Sequence, residues 1–96
     1  MIGVVATIKV KDGEGAGLEG VFRELAAKVK ANEPGCIAYQ LTKSRTDPNT
    51  YKVLEIYKDE DAVKAHMGAT HFAEAGKKMR DCLAGRPELE FLDGIV

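Results

Sequence analysis

The chain opens on the run Ile2 to Val10, I-G-V-V-A-T-I-K-V, in which Ile2, Val4, Ala6, Ile8 and Val10 alternate onto one face. β-Branched residues at a period of two predict a strand. No other feature restricts the fold as much. Val5 and Thr7 keep the opposite face partly apolar, so the strand is expected inside a sheet and covered on both sides. Lys11-Asp12-Gly13 breaks it. The period then changes, because Leu18, Val21, Phe22, Leu25, Ala26 and Val29 recur at helical spacing. That predicts an amphipathic helix of about 18 residues. Asn32-Glu33-Pro34-Gly35 ends it, since proline has no amide hydrogen to continue the ladder and glycine turns freely.

Residues 36–43 read as a second strand with Ile37, Tyr39 and Leu41 on one side, and Asp47-Pro48-Asn49 as a turn. In a third strand, 51–58, Leu54 and Ile56 share one face while Tyr51, Val53, Glu55 and Tyr57 share the other. Asp59 is placed to cap a short helix over 60–67, where Glu60 and Asp61 suit the positive helix end. Gly68 and Thr70 punctuate the chain. A further helix over 71–84 turns Phe72, Ala75, Met79, Cys82 and Leu83 inward, Gly85-Arg86-Pro87 stops it, and 88–93 forms a last strand with Leu89 and Phe91 on one face. This order, β-α-β-β-α-β, predicts an α+β fold, a ferredoxin-like sandwich with both helical layers on one side of an antiparallel sheet. Tyr51, Val53 and Tyr57, with the two-sided first strand, are expected to leave apolar surface that no helix covers. A homodimer joined through the sheet faces would bury it.

Composition narrows the functions. Residues 1–96 are expected to form a single domain with one modest core. Fourteen basic against fifteen acidic residues give a net charge of −1, without the basic patch that nucleic acid requires. Apolar runs stay far below the roughly 20 residues of a membrane helix. Met1-Ile2-Gly3-Val4 enters a strand directly and shows no signal-peptide pattern, so a cytoplasmic protein is the expectation. Cys36 and Cys82 stand apart without metal-type neighbours and read as reduced, buried thiols.

Few side chains can carry chemistry. Glu55, a carboxylate inside a strand, needs a partner. It either pairs with Lys52, Lys43 or an arginine, or orients a histidine or a substrate hydroxyl. His66 lies near the apolar side of its short helix, as a half-buried ring bonded to a carbonyl or as a substrate contact and general base. His71 opens the last helix, with either local end-of-helix bonding or a pocket role. Phe72, Met67 and Met79 fill the core or line an apolar cavity. The two histidines are five residues apart, about 140° around a helix. A paired i,i+4 metal site is therefore not encoded, no third ligand suggests itself, and no metal is expected. Gly13-Glu14-Gly15-Ala16-Gly17 lacks phosphate-loop spacing and reads as a flexible turn. Nucleophile motifs are absent as well.

Taken in order, V-A-T-I-K-V-K-D-G, E-P-G-C, D-P-N, and E-I-Y…D-A-V-K-A-H-M…T-H-F resemble the antibiotic biosynthesis monooxygenase family, its small quinol-monooxygenase-like members in particular. The resemblance covers nearly the whole chain. It implies a dimeric α/β barrel made by two ferredoxin-like sandwiches pairing through their sheets. It also implies oxidation of quinols or anthrone-like compounds by molecular oxygen without a cofactor. Matching positions then make His66 the base, with His71, Glu55 and Tyr57 orienting and Phe72 as pocket wall. Haem-degrading members carry a tryptophan where this chain has His66 and a histidine where it has Gly76, so the resemblance does not extend to haem. Other members isomerise a phosphorylated hydroxy-diketone, for which Arg45 and Lys43 would have to anchor the phosphate. A non-catalytic small-molecule-binding dimer is the remaining alternative.

Overall fold

The computed structural model describes all 96 residues. Its elements are β1 (Ile2–Lys9), α1 (Gly15–Asn32), β2 (Cys36–Lys43), β3 (Thr50–Tyr57), α2 (Glu60–Met67), α3 (Thr70–Met79) and β4 (Glu88–Asp93), with a 3₁₀ turn at Arg80–Cys82 between the last two. The four strands form one antiparallel sheet in the order β2-β3-β1-β4. This is the ferredoxin-like α+β arrangement that the element order predicts. No helix is long and apolar enough to cross a membrane.

Register decides which side chains meet the helices. Ile8 pairs with Tyr51, Ala6 with Val53, Val4 with Glu55 and Ile2 with Tyr57, so the inward rows of β1 and β3 share one face. α1 covers that face with Leu18, Phe22, Leu25 and Val29, all buried at the same period that predicts the helix. This corrects one expectation. Tyr51, Val53 and Tyr57 lie beneath the helices, each only 1% exposed, and do not form the uncovered surface. The open face instead carries Leu54 and Leu92, 45% and 44% exposed, beside half-buried Val5 and Ile56.

Two further differences have local causes. Cys36 pairs with Tyr57 while Ala38 already pairs with Ile56, so Ile37 is the extra residue of a β-bulge and turns outward, 56% exposed. Cys36, Tyr39 and Leu41 pack on the core instead. α3 stops at Met79, short of the expected residue 84. Its continuation is captured by β1's end, where Lys11 N–H donates to Cys82 O at 2.9 Å and Ala84 N–H to Lys9 O at 2.8 Å. At the other end of the chain's first connection, the turn is made at Gly13, whose φ of 81° favours glycine. Residues 15–17, read from sequence as part of a flexible turn, are already helical.

The start of α2 follows its local signal. Asp59 Oδ1 accepts from Ala62 N–H at 2.9 Å, and Glu60 and Asp61 occupy the first turn. Asp59→Ala is expected to lower stability by about 1 kcal/mol. Asp59→Asn, which keeps the acceptor, should leave the unfolding midpoint in urea nearly unchanged.

Candidate functional site

Between the inward sheet face and the α2–α3 arm lies a cavity of about 250 Å³. Val4, Ala6, Ile8 and Val53 form its floor, Phe22 of α1 one wall, and Val63, Phe72 and Met79 the roof. β4 extends this face beyond the reach of any helix, since Phe91 pairs with Val4 and Leu89 with Ala6. Both side chains remain about half exposed and rim the cavity together with Leu83 and Pro87. Its lining is apolar except for Glu55, His66 and the phenols of Tyr39 and Tyr57.

His66 reaches this space because α2 packs close to the sheet. Gly35 makes that approach possible: a Cβ there would lie 2.6 Å from Ala62 Cβ. The His66 ring is 3% exposed and surrounded by aromatic rings, with centroids at 4.8 Å to Phe72, 5.2 Å to Tyr39 and 5.4 Å to Tyr57. Its Nδ1 lies 3.0 Å from both carboxylate oxygens of Glu33. A hydrogen on Nδ1 donated to that carboxylate leaves the lone pair on Nε2. Nε2 in turn faces Glu55 Oε1 at 4.0 Å. That separation is too long for a direct hydrogen bond, but one oxygen about 2.8 Å from each group fits beside the line joining them.

Glu55 is partnered by neither Lys52 nor Lys43. Lys43 bonds Glu19 at 3.2 Å instead. Glu55 Oε1 accepts from the Tyr57 hydroxyl at 2.6 Å. Burial pushes the Glu55 carboxyl up to about 7, with the hydrogen bond from Tyr57 working against the shift and the Glu33 charge adding to it. The same burial lowers His66 from the usual imidazole range, while Glu33 pulls it upward. His66 is therefore neutral at pH 7 and able to accept a proton. Burial also raises the Tyr39 and Tyr57 phenols, so both remain protonated donors. Cys36 is raised to about 11, chiefly by burial, and is a poor nucleophile.

The residues singled out from sequence separate into two groups. Glu55, Tyr57, His66, Met67, Phe72 and Met79 all border the cavity. Met67 does so from an exposed position, 41% accessible. His71 does not border it. Its Nε2 bonds Glu33 Oε2 from the opposite side, and its ring lies at a shallow surface depression with Leu25, Lys28, Glu74 and Lys78. The spacing argument for the two histidines assumes one continuous helix. Ala69, with extended φ −74° and ψ 144°, separates α2 from α3, so both rings converge on one carboxylate. Glu33 is the residue that sequence reasoning missed, read there only as part of a helix-ending turn. Proline directly after it was the available signal, because Pro34 fixes the chain as it leaves α1. The donor atoms of Glu33, His66 and His71 all lie within 4.8 Å of one another, a third donor that the histidine spacing alone does not reveal.

Known proteins share this framework. A crystal structure from Caulobacter crescentus CB15, of a protein named as a candidate antibiotic biosynthesis monooxygenase, superposes with a TM-score of 0.96 at 54% identity, covering 99% of this chain and 90% of that one. A conserved protein of Methanosarcina mazei Go1 superposes with a TM-score of 0.89 at 27% identity, over 95% and 89% of the two chains. An uncharacterized Synechocystis sp. protein is 30% identical over 59 residues, 62% of this chain. The match spans only 40% of that relative's length. The profile of the antibiotic biosynthesis monooxygenase family matches residues 1–78, the segment that supplies Glu33, Glu55, His66 and most of the cavity. Because that profile spans most of the chain, the chain belongs to the antibiotic biosynthesis monooxygenase family.

Proposed function

We propose that the chain is a cofactor-independent monooxygenase that oxidises a small aromatic quinol with molecular oxygen. The observation that carries this reading is the His66 ring fixed from behind by Glu33, with Nε2 facing Glu55 in an apolar cavity. A cavity of about 250 Å³ is at the small end of ligand sites, which run from about 300 to 1,000 Å³. It suits one or two fused rings.

In this reading His66 Nε2 takes the proton of a ring hydroxyl, and the protonated Glu55 carboxyl, itself oriented by the Tyr57 hydroxyl, donates to the oxygen that loses it. The phenolate passes one electron to oxygen, giving a phenoxyl radical and superoxide. Their combination at a ring carbon forms the new carbon–oxygen bond, and the resulting hydroperoxide loses water. One oxygen atom stays on the ring as a carbonyl and the other leaves in the water. Burial of the phenols and of Glu55 keeps competing charges low at the site. Incubating the protein with a panel of dihydroxynaphthalenes, with and without air, should give protein-dependent oxygen uptake and coloured quinone. Binding without turnover across the panel would favour the non-catalytic alternative. The isomerase alternative draws less support, because no lysine or arginine lines the cavity and Lys43 is engaged with Glu19.

The working form is proposed to be a homodimer joined through the open sheet faces, where Val5, Leu54, Ile56 and Leu92 form an apolar row. Family members are commonly dimers. Leu54→Glu is expected to raise the dimer dissociation constant at least about tenfold by placing charge in the seam. Sedimentation equilibrium reads this directly, and an unchanged dimer would move the interface elsewhere.

A further inference from the structure

We infer that Glu33, His66 and His71 form a binding site for one divalent metal ion of the zinc class. The site lies behind the cavity and joins the three helices. Its donors are the Glu33 carboxylate, His66 Nδ1 and His71 Nε2, mutually within 4.8 Å. Zinc binds imidazole nitrogen and carboxylate oxygen at about 2.0–2.2 Å, which puts tetrahedral donors roughly 3.3 Å apart. The observed 3.0 Å from His66 Nδ1 to each Glu33 oxygen is already near that spacing. His71 Nε2 and Glu33 Oε2 are in direct hydrogen-bond contact, closer than that spacing, so metal entry has to part this pair by roughly an ångström. Two imidazoles and one carboxylate suit zinc, cobalt or nickel better than magnesium or calcium.

Three further features fit a metal site. Each ligand comes from a separate, well-anchored element: Glu33 from the end of α1, where its N–H donates to Val29 O at 2.9 Å, His66 from α2 and His71 from the first turn of α3. A metal on Nδ1 leaves the hydrogen on His66 Nε2, which points toward the Glu55 carboxylate 4.0 Å away, a separation one water can bridge. The metal-bound chain then lacks the free Nε2 lone pair, so zinc should suppress quinol oxidation. Access comes from the His71 side, where that side chain is 14% exposed beside the depression at Lys28 and Glu74. The fourth position is left to water.

The test uses the full chain freed of metal with chelator. Titration with zinc chloride in a calorimeter should give one ion per chain, with a dissociation constant in the micromolar range or tighter. Saturating zinc should raise the Tm by roughly 10 °C, because it binds only the folded arrangement. Cobalt(II) should give the visible absorption of a four-coordinate centre. Glu33→Gln and His71→Ala should each weaken zinc binding at least about tenfold, with folding checked by circular dichroism. His71→Gln serves if the alanine variant fails to fold. Absence of binding at 100 μM zinc (an upper working concentration of about 10⁻⁴ M,) would overturn the inference. So would one-to-one binding that these variants leave unchanged, which would put the metal elsewhere, and the three side chains would then be a hydrogen-bonded chain only.

Discussion

His66→Gln is expected to lower quinol-dependent oxygen uptake by about 10²–10⁴-fold, the usual contribution of a positioned general base. That corresponds to about 3–5 kcal/mol of barrier. Glutamine is chosen because the ring is buried, with Phe72, Tyr39 and Tyr57 packed around it, and alanine would open a void there. Its amide can still donate to Glu33, so the loss isolates proton acceptance at Nε2 from packing. Oxygen-electrode rates with the best quinol of the panel provide the measurement, with thermal unfolding as the control for fold. A variant that folds and retains the wild-type rate would remove His66 from the chemistry, and the base role with it.

The second large effect concerns Glu55 and pH. Its folded carboxyl titrates near 7, against 4.5 for the ordinary group. Between those values the folded protein holds a proton that the unfolded chain has released, so this group's contribution to stability falls as pH rises. At about 1.4 kcal/mol per unit, the full loss is on the order of 3 kcal/mol, part of which has already occurred by pH 4.5. His66 opposes it, because its lowered folded value costs stability as pH falls through the imidazole range. Glu33, His71, Cys36, Tyr39 and Tyr57 are the other ionisable groups near the pair, and the two phenols stay neutral throughout. The clean observable is consequently a difference. Glu55→Gln should gain about 2–3 kcal/mol on the wild type between pH 4.5 and 8, measured as urea-unfolding free energies at each pH. A difference that stays flat across this range would mean that water reaches Glu55 freely.

Much of this architecture is legible in the chain because its signals are local. The alternation of Val4, Ala6 and Ile8, the helical recurrence from Leu18 to Val29 and the cap at Asp59 each act over a few residues. Such features survive in any tertiary setting that leaves the segment intact. His66 and Glu55 were readable as candidates for a related reason: ionisable groups among apolar neighbours require a partner. Simple alternation puts Ile37 on the face of Tyr39 and Leu41, but a bulge adds one residue there and reverses its side, and only pairing with β3 specifies where that happens. The early end of α3 was hidden likewise, since its competitor is the backbone at the end of β1, far away in sequence.

Element order, the inward row of each helix and the histidine-bearing arm were therefore fixed by the amino-acid sequence itself, through periodicity and capping that act along the chain. Tertiary structure decided the rest: which face of β3 lies under the helices, and that Glu33, 33 residues from His66 and 38 from His71, joins both rings. Strand register and helix packing couple residues distant along the chain, and such couplings leave no periodic trace in the local pattern.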